Sequence, residues 1–323
     1  MIPEAASYDV SIVIVSYNTR TLLASCLESL YATINGVSYE IWVVDNASSD
    51  GSPEMVEDRF PAVHCIRNSF NLGFARANNL ALRQVQGRYV VLLNSDTLMT
   101  ASALETITEF MDQHSDVAIC GGQLLNQDGS LQNSIANIPT LATELLNKSL
   151  LRRLFPQRYP GKELRIETPL EVESVIGACM VVSKKAIEQV GMLDERYFFF
   201  FEETDWCLSM KNAGWRVFFH PEARIFHLQG ASAKKIHIPA RIEYWKSRYL
   251  FFQKKVSLPT LLLLKTGLLI RLLLSLFLQA VAAPFNGRMR SRLALNWTIL
   301  CWHLSGCPPS WGISSPATDG VVS

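Results

Sequence analysis

Tyr89–Asp96 reads Y-V-V-L-L-N-S-D, an apolar run that stops abruptly on three small polar residues. Unbroken aliphatic and β-branched character suits a strand covered on both faces, and Asn, Ser and Asp favour the turn that ends it. The same grammar recurs upstream. Val10–Val15 (V-S-I-V-I-V) stops at Ser16-Tyr17-Asn18, and Tyr39–Val44 stops at Asp45-Asn46 before a Ser/Asp/Gly turn through Ser52. Between these strands, Leu22, Leu23, Cys26, Leu27, Leu30 and Tyr31 recur at helical spacing. Met55–Phe60 and Phe74–Val85 read as helices and Val63–Ile66 as a strand. Strands alternating with helices predict the α/β class, with a mostly parallel, Rossmann-like sheet. Ligand sites in such sheets gather at the carboxyl ends of strands, where Asp45 and Asp96 both fall.

Downstream the pattern is mixed. Ala103–Met111 reads as a helix, Val117–Cys120 as a strand and Asp128-Gly129 as a hairpin turn. Ile135–Val172 is irregular and carries Pro139, Pro156, Pro160 and Pro169. Ser174–Val182 reads as a strand and Lys184–Val190 as a helix capped by Gly191. Phe198–Phe201 leads into an amphipathic helix through Ala213, and Trp215–Phe219 and Arg224–Phe226 read as two short strands.

The length of 323 residues allows one large α/β domain with an appendage. Hydrophobic residues make up 49% and charged residues 18%, with the apolar surplus near the C-terminus. A formal net charge of +1 gives no field to draw nucleic acid, so none is expected as a partner. The seven cysteines contain no C-x-x-C pair and read as reduced core thiols rather than zinc ligands or disulfides. Met1–Asp9 has neither a basic nor an apolar run, so no signal peptide is read and a cytoplasmic location is expected.

Three places can carry chemistry. Asp96, at a strand end among small polar residues, can meet a hard divalent cation bearing a diphosphate, or simply close a turn. Asp45 can accept a hydrogen bond from a base or a ribose, or cap the turn Ala47–Gly51. Glu202, Glu203 and Asp205 crowd three carboxylates at one helix start. That suits a helix dipole, but mutual repulsion and the neighbouring phenylalanines also suit a general base with a raised pKa. His227, after an apolar strand, is either a core histidine or a ligand that completes a metal site with Asp96. His220, before Pro221, reads as structural.

Taken in order, these stretches resemble a known family. They are V-V-D-N-A-S-S-D-G-S (Val43–Ser52), N-L-G-F-A-R-A-N-N (Asn71–Asn79), L-L-N-S-D-T (Leu92–Thr97), G-A-C-M-V-V (Gly177–Val182), F-E-E-T-D-W-C-L (Phe201–Leu208) and G-W-R-V-F-F-H-P-E-A-R-I-F-H (Gly214–His227). The set resembles the family 2 glycosyltransferases, and within them a bacterial rhamnosyltransferase-like branch, over about residues 9–232. The resemblance implies a GT-A fold, inversion at the anomeric carbon and a divalent metal, Mg or Mn. By position, Asp45 matches the residue that reads the nucleotide base, and Asn94 and Asp96 match the metal and diphosphate motif. Glu203 matches the catalytic base, with Asp205 as its rival, and His227 matches the histidine closing the metal site. Ser16, Asn18, Asn71, Gly73 and Asn78 match donor loops. Two residues depart from the usual pattern: Asn94 stands where many members have Asp, and Glu203 where Asp is commoner.

The function implied is transfer of a sugar, rhamnose by the branch resemblance, from a nucleotide-sugar donor to a glycan or lipid-linked acceptor in cell-surface polysaccharide synthesis. A dinucleotide-binding dehydrogenase would need G-x-G-x-x-G after the first strand, where Ser16-Tyr17-Asn18-Thr19-Arg20 has no glycine. An inert glycan-binding or scaffold protein on the same fold is the remaining alternative. Residues 9–97 are expected to bind the donor, 98–232 to form the acceptor and catalytic half, 233–305 to be helical and membrane-associating, and 306–323 to be a disordered tail. Leu258–Pro284 is long enough to span a bilayer, but Lys265 and Arg271 interrupt it. A helix lying on the inner face of the cell membrane is expected, with those two side chains reaching headgroups and Arg288, Arg290 and Arg292 beside them. A buried helical pair or a dimer interface is the other reading.

Overall fold

The computed structural model describes residues 8–155, 166–228 and 237–313. In chain order, the first elements are β1 (Tyr8–Ser16), α1 (Arg20–Thr33), β2 (Tyr39–Asp45), α2 (Ser52–Arg59), β3 (His64–Arg67), α3 (Phe74–Leu82) and β4 (Gly87–Asn94). Then come β5 (Thr97–Met99), α4 (Ala103–Gln113), β6 (Val117–Leu125), β7 (Ile135–Ala136), α5 (Leu141–Leu145), α6 (Lys148–Leu154), β8 (Leu170–Glu171) and β9 (Ser174–Val175). The last are β10 (Cys179–Ser183), α7 (Lys184–Val190), α8 (Glu202–Asn212), β11 (Arg216–His227), α9 (His237–Lys255), α10 (Leu258–Ala282) and α11 (Gly287–Leu304). The chain divides into two compact units, Met1–Ile138 with Leu164–Lys235, and Pro139–Glu163 with Ile236–Ser314.

The first unit is built on one sheet in the order β3-β2-β1-β4-β10-β6-β11-β5, with β8 beside β11. The first four strands are parallel. β10 then runs antiparallel to both β4 and β6, while β11 is parallel to β6 and antiparallel to β5. This is the GT-A fold: a Rossmann-like half followed by a mixed half. Both faces are covered, which is why the strands read as continuous apolar runs. Ile12 and Ile14 pack with Leu23, Leu27 and Leu30 of α1, and Val13 packs on the opposite face with Ala77 and Ala81 of α3.

One connection shapes the site. β4 and β5 are joined only by Ser95 and Asp96, yet β10, β6 and β11 stand between them in the sheet order. The sheet therefore curls at this end until the close of β11 returns to the link. His227 pairs with Thr97, and the Leu228 N–H donates to the Asp96 carbonyl at 2.9 Å.

Several elements differ from the sequence expectation for local reasons. β6 continues past Cys120 through Gly121 and Gly122, where a Cβ on Gly122 would lie 2.4 Å from the Ala223 carbonyl oxygen. Gly122 is what lets β11 approach, while Gly121 makes room for Val175 of β9. β11 is one strand rather than two, because the register shift between His220 and Arg224 puts Pro221 at an irregularity where no ladder N–H is needed. Ser174–Val182 splits into β9 and β10 around Ile176–Ala178. Within Ile135–Val172, α5 and α6 form and belong to the second unit, while Pro156 and Pro160 lie outside the described residues.

In the second unit, Leu261, Leu264, Leu268, Leu272 and Leu276 turn one face of α10 inward at helical spacing. Gly267 lets α5 close in: a Cβ there would stand 2.6 Å from Leu145 Cδ2. Arg248 and Glu144 form a buried ion pair at 3.1 Å, and the guanidinium lies 3.9 Å from the Trp245 ring centroid. The Asn296 side chain donates to Ser275 Oγ and Gln279 Oε1, joining α11 to α10. Lys265 Nζ sits 5.1 Å from the Tyr249 ring centroid, and Arg271 donates to the Glu144 carbonyl. Both residues are nonetheless exposed and flank the buried face of α10. Of residues 306–323, Pro309–Trp311 forms a 3₁₀ turn pinned by Trp302 Nε1–H on the Pro308 carbonyl at 3.0 Å. Residues 314–323 lie outside the described residues.

Candidate active site

The strand ends of the first unit bring most of the singled-out residues to one edge. At the end of β2, Asp45 is buried and its Oδ2 accepts the Ser48 N–H at 2.9 Å. Its Oδ1 is enclosed without a hydrogen-bond partner among the described residues. A buried carboxylate oxygen left unpaired is costly. Asp45 thus caps the turn with one oxygen and leaves the other without a partner among the described residues.

Ser16 and Asn18 hydrogen-bond within the loops at this edge. The Ser16 hydroxyl is buried 3.0 Å from Thr19 Oγ1, which donates in turn to Ser95 Oγ at 3.0 Å. Asn18, in a left-handed conformation (φ 54°), accepts the Ser49 N–H at 2.8 Å, tying the β1 loop to the β2 loop. Asn71 Oδ1 accepts the Gly73 N–H at 2.9 Å. Gly73 has φ 80°, and a Cβ there would lie 2.4 Å from the Phe198 carbonyl oxygen, which accepts the Phe74 N–H at 2.7 Å. Only glycine fits that backbone and that approach. Asn78 is buried, donates to the Phe74 carbonyl at 2.9 Å and leaves Oδ1 unpartnered.

Asp96 and His227, distant in sequence, meet with Oδ1 3.4 Å from Nε2. Among the described residues, no group of three or more His, Cys, Asp and Glu side chains gathers as a metal cage. The pair nevertheless fits a hard divalent cation, which commonly takes one or two protein ligands and completes its shell with substrate phosphates and water. Asn94, at the end of β4, is half-buried, and its N–H donates to the Ala178 carbonyl at 2.9 Å.

The three carboxylates of α8 separate cleanly. Glu202 and Asp205 are buried, at 4% and 3% exposure, whereas Glu203 is half-buried and faces Gly177. Burial pushes the Glu203 carboxyl above its ordinary range. Of the three, Glu203 is the most exposed residue. The approach to α8 is strained, with Phe200 and Phe201 both left-handed (φ 73° and 70°). The thiols of Cys26 and Cys179 are pushed up to about 12 by burial, as inert core cysteines are.

Sequence reasoning gave no role to Asn46 or Gln132. Asn46 donates to the Gly73 carbonyl at 3.1 Å and accepts from Asn68 at 2.9 Å, so it shapes the donor loop from beneath. Its place inside the Val43–Ser52 stretch was the available signal. Gln132, 2.7 Å from His227 Nδ1, had none.

A half-parallel, half-mixed sheet in this strand order is the fold of the GT-A glycosyltransferases. Residues 11–191 match the sequence profile described as Glycosyl transferase family 2. The chain belongs to that family. It is 26% identical over 263 residues to an N-acetylglucosaminyl-diphospho-decaprenol L-rhamnosyltransferase of Mycobacterium tuberculosis, covering 76% of this chain and 84% of that one. It is 26% identical over 260 residues to the dTDP-rhamnosyl transferase RfbF of Shigella flexneri, covering 77% and 81%. Among solved structures, the mannosyltransferase PcManGT from Pyrobaculum calidifontis, in complex with GDP-Man and Mn2+, shares the fold. Its TM-score is 0.57 at 17% identity, covering 94% of this chain and 87% of that one.

Proposed function

We infer that this protein transfers a sugar, with rhamnose the first choice, from a nucleotide-sugar donor to a lipid-linked glycan acceptor, inverting the anomeric carbon. The observation that carries this reading is the convergence of Asp96 and His227 at the link between β4 and β5. Those two residues would hold a divalent cation, Mg or Mn, which supplies charge neutralisation for the leaving diphosphate. Asp45 Oδ1 receives a donor N–H or O–H of the nucleotide, and Asn94 contributes a neutral polar group to the diphosphate end. Glu203 takes the proton from the acceptor hydroxyl as its oxygen attacks the anomeric carbon. The bond to the diphosphate breaks on the opposite side and its electron pair leaves with the diphosphate. The relatives named for rhamnosyl transfer support the choice of sugar, and the M. tuberculosis relative, by its name, takes a polyprenyl-diphosphate acceptor.

The second unit would place the enzyme at the cytoplasmic face of the membrane. α10 is long and apolar enough to cross a bilayer. Its inner leucines are already covered, however, while Leu274, Phe277 and Val281 are 59%, 67% and 61% exposed. One covered face and one bare apolar face describe a helix lying in the interface. The test is a panel of dTDP-, UDP- and GDP-sugars offered to the purified protein with a polyprenyl-diphosphate glycan, with and without Mn2+. Transfer from dTDP-rhamnose alone is expected. Donor binding with neither transfer nor hydrolysis would favour the inert glycan-binding reading.

A further inference from the structure

His227 meets Asp96 through one ring nitrogen while the other is already engaged. Nδ1 stands 2.7 Å from Gln132 Oε1. The Gln132 amide cannot be turned over, because its Nε2 lies 3.1 Å from the backbone carbonyl of His227 itself and 2.9 Å from Asn126 Oδ1. A carbonyl only accepts, so the amide nitrogen faces it and the amide oxygen faces the ring. Nδ1 therefore carries a proton, and in the neutral ring Nε2 then presents its lone pair toward Asp96.

Gln132 is itself well held. Its N–H donates to the Leu124 carbonyl at 2.8 Å, and its carbonyl accepts from Gln123 Nε2 at 2.9 Å. Asn126 is braced across the hairpin by Ser130, through Nδ2 to Oγ at 2.9 Å and N–H to carbonyl at 2.8 Å. The hairpin around Asp128-Gly129 thus ends in the side chain that orients His227.

The geometry points to Gln132 as a positioning residue that locks His227 in the Nδ1–H tautomer, so that Nε2 is offered as an electron-pair donor beside Asp96. Outer hydrogen bonds of this kind fix ring orientation and typically change metal affinity about 10–100-fold. The use of the lone pair rests on the metal reading above, but the tautomer does not, so the two can fail separately.

The experiment has two arms on the full-length protein. Long-range ¹H–¹⁵N imidazole spectra at pH 8 without metal, with His227 assigned by its loss in His227→Asn, report the tautomer. Titration with Mn2+ followed by electron paramagnetic resonance reports affinity. The wild type is expected to show Nδ1–H. Gln132→Met, close in size and unable to accept the same bond well, is expected to shift the ring toward Nε2–H and weaken Mn2+ binding about 10–100-fold. An Nε2–H ring in the wild type overturns the proposal whatever the variant does. So does a folded Gln132→Met protein that keeps the Nδ1–H form and full affinity. If the wild type binds no Mn2+ but its Nδ1–H tautomer is lost in Gln132→Met, Gln132 keeps its role and the metal reading falls.

Discussion

The strand ends of the first unit and the outer face of α10 depart from ordinary packing in opposite senses. At the strand ends, Asp45 Oδ1 and Asn78 Oδ1 are enclosed without partners among the described residues, and Asn18, Ala47, Phe200 and Phe201 hold left-handed backbone. On α10, side chains that belong in an interior face outward, from Leu262 to Val281. A buried polar atom lacking a partner calls for a small polar ligand. A bare apolar face calls for something broad and apolar. The two departures therefore point to different occupants, and a substitution in one region should leave the function of the other intact.

The largest effect should come from Asp96→Ala. Removing a group that serves the leaving diphosphate forfeits several kcal/mol, on the order of 10⁴-fold in kcat/KM, with circular dichroism and vesicle binding unchanged. A folded variant with near-normal, metal-stimulated turnover would break the site assignment. Next, Glu203→Gln should lower kcat about 10³-fold with little change in donor KM. Asp205→Asn, at a buried position, should act on stability instead. Lost turnover at unchanged Tm in Asp205→Asn would transfer the base role to it.

Asp45→Ala should raise donor KM about 10–100-fold, the worth of one hydrogen bond to a charged group, and spare kcat. On the other side of the comparison, combining Leu274→Glu, Phe277→Glu and Val281→Glu should cut binding to anionic vesicles about tenfold or more while donor hydrolysis and Tm hold. A loss of oligomeric mass instead would mean that a second copy covers this face. The smallest effect concerns pH. With its folded pKa raised by burial, Glu203 contributes stability present in full below its unfolded pKa and lost as pH rises through the folded value. Near pH 7, Glu203→Gln should therefore match or exceed the wild-type Tm by a small margin. The acid limb of kcat/KM, set above the ordinary carboxylate range, should vanish with it.

The first half of the sheet was legible because its strands are buried on both faces and end in turn residues, so pattern and position agree in Val10–Ser16, Tyr39–Asp45 and Tyr89–Asn94. The second half was less so. Gly121-Gly122 and Pro221 look like breaks, yet Gly122 and Pro221 accommodate the pairing of β6 with β11, and Gly121 the approach of Val175. Carboxylates at strand ends could be picked out one at a time, and the pairing of Asp96 with His227 was offered beside the reading of a core histidine, because the pattern does not say how the sheet curls. Which of Glu203 and Asp205 is the more exposed depends on which side of α8 faces inward.

The two-residue link Ser95-Asp96 bears on how the gene can vary in length. Around Gly129, at the tip of the hairpin, no atom stands within 4 Å of where a Cβ would be, so an extra residue there can bulge into solvent. Between Asn94 and Thr97 it cannot. β4 is registered against β10 on one side of the link, and Thr97 against His227 on the other. A single inserted codon would have to unpair one of those ladders or push Asp96 out of line. Insertions and deletions should therefore collect at the hairpin tip as such chains diverge and be purged at the link, even where residue identity at Ser95 drifts.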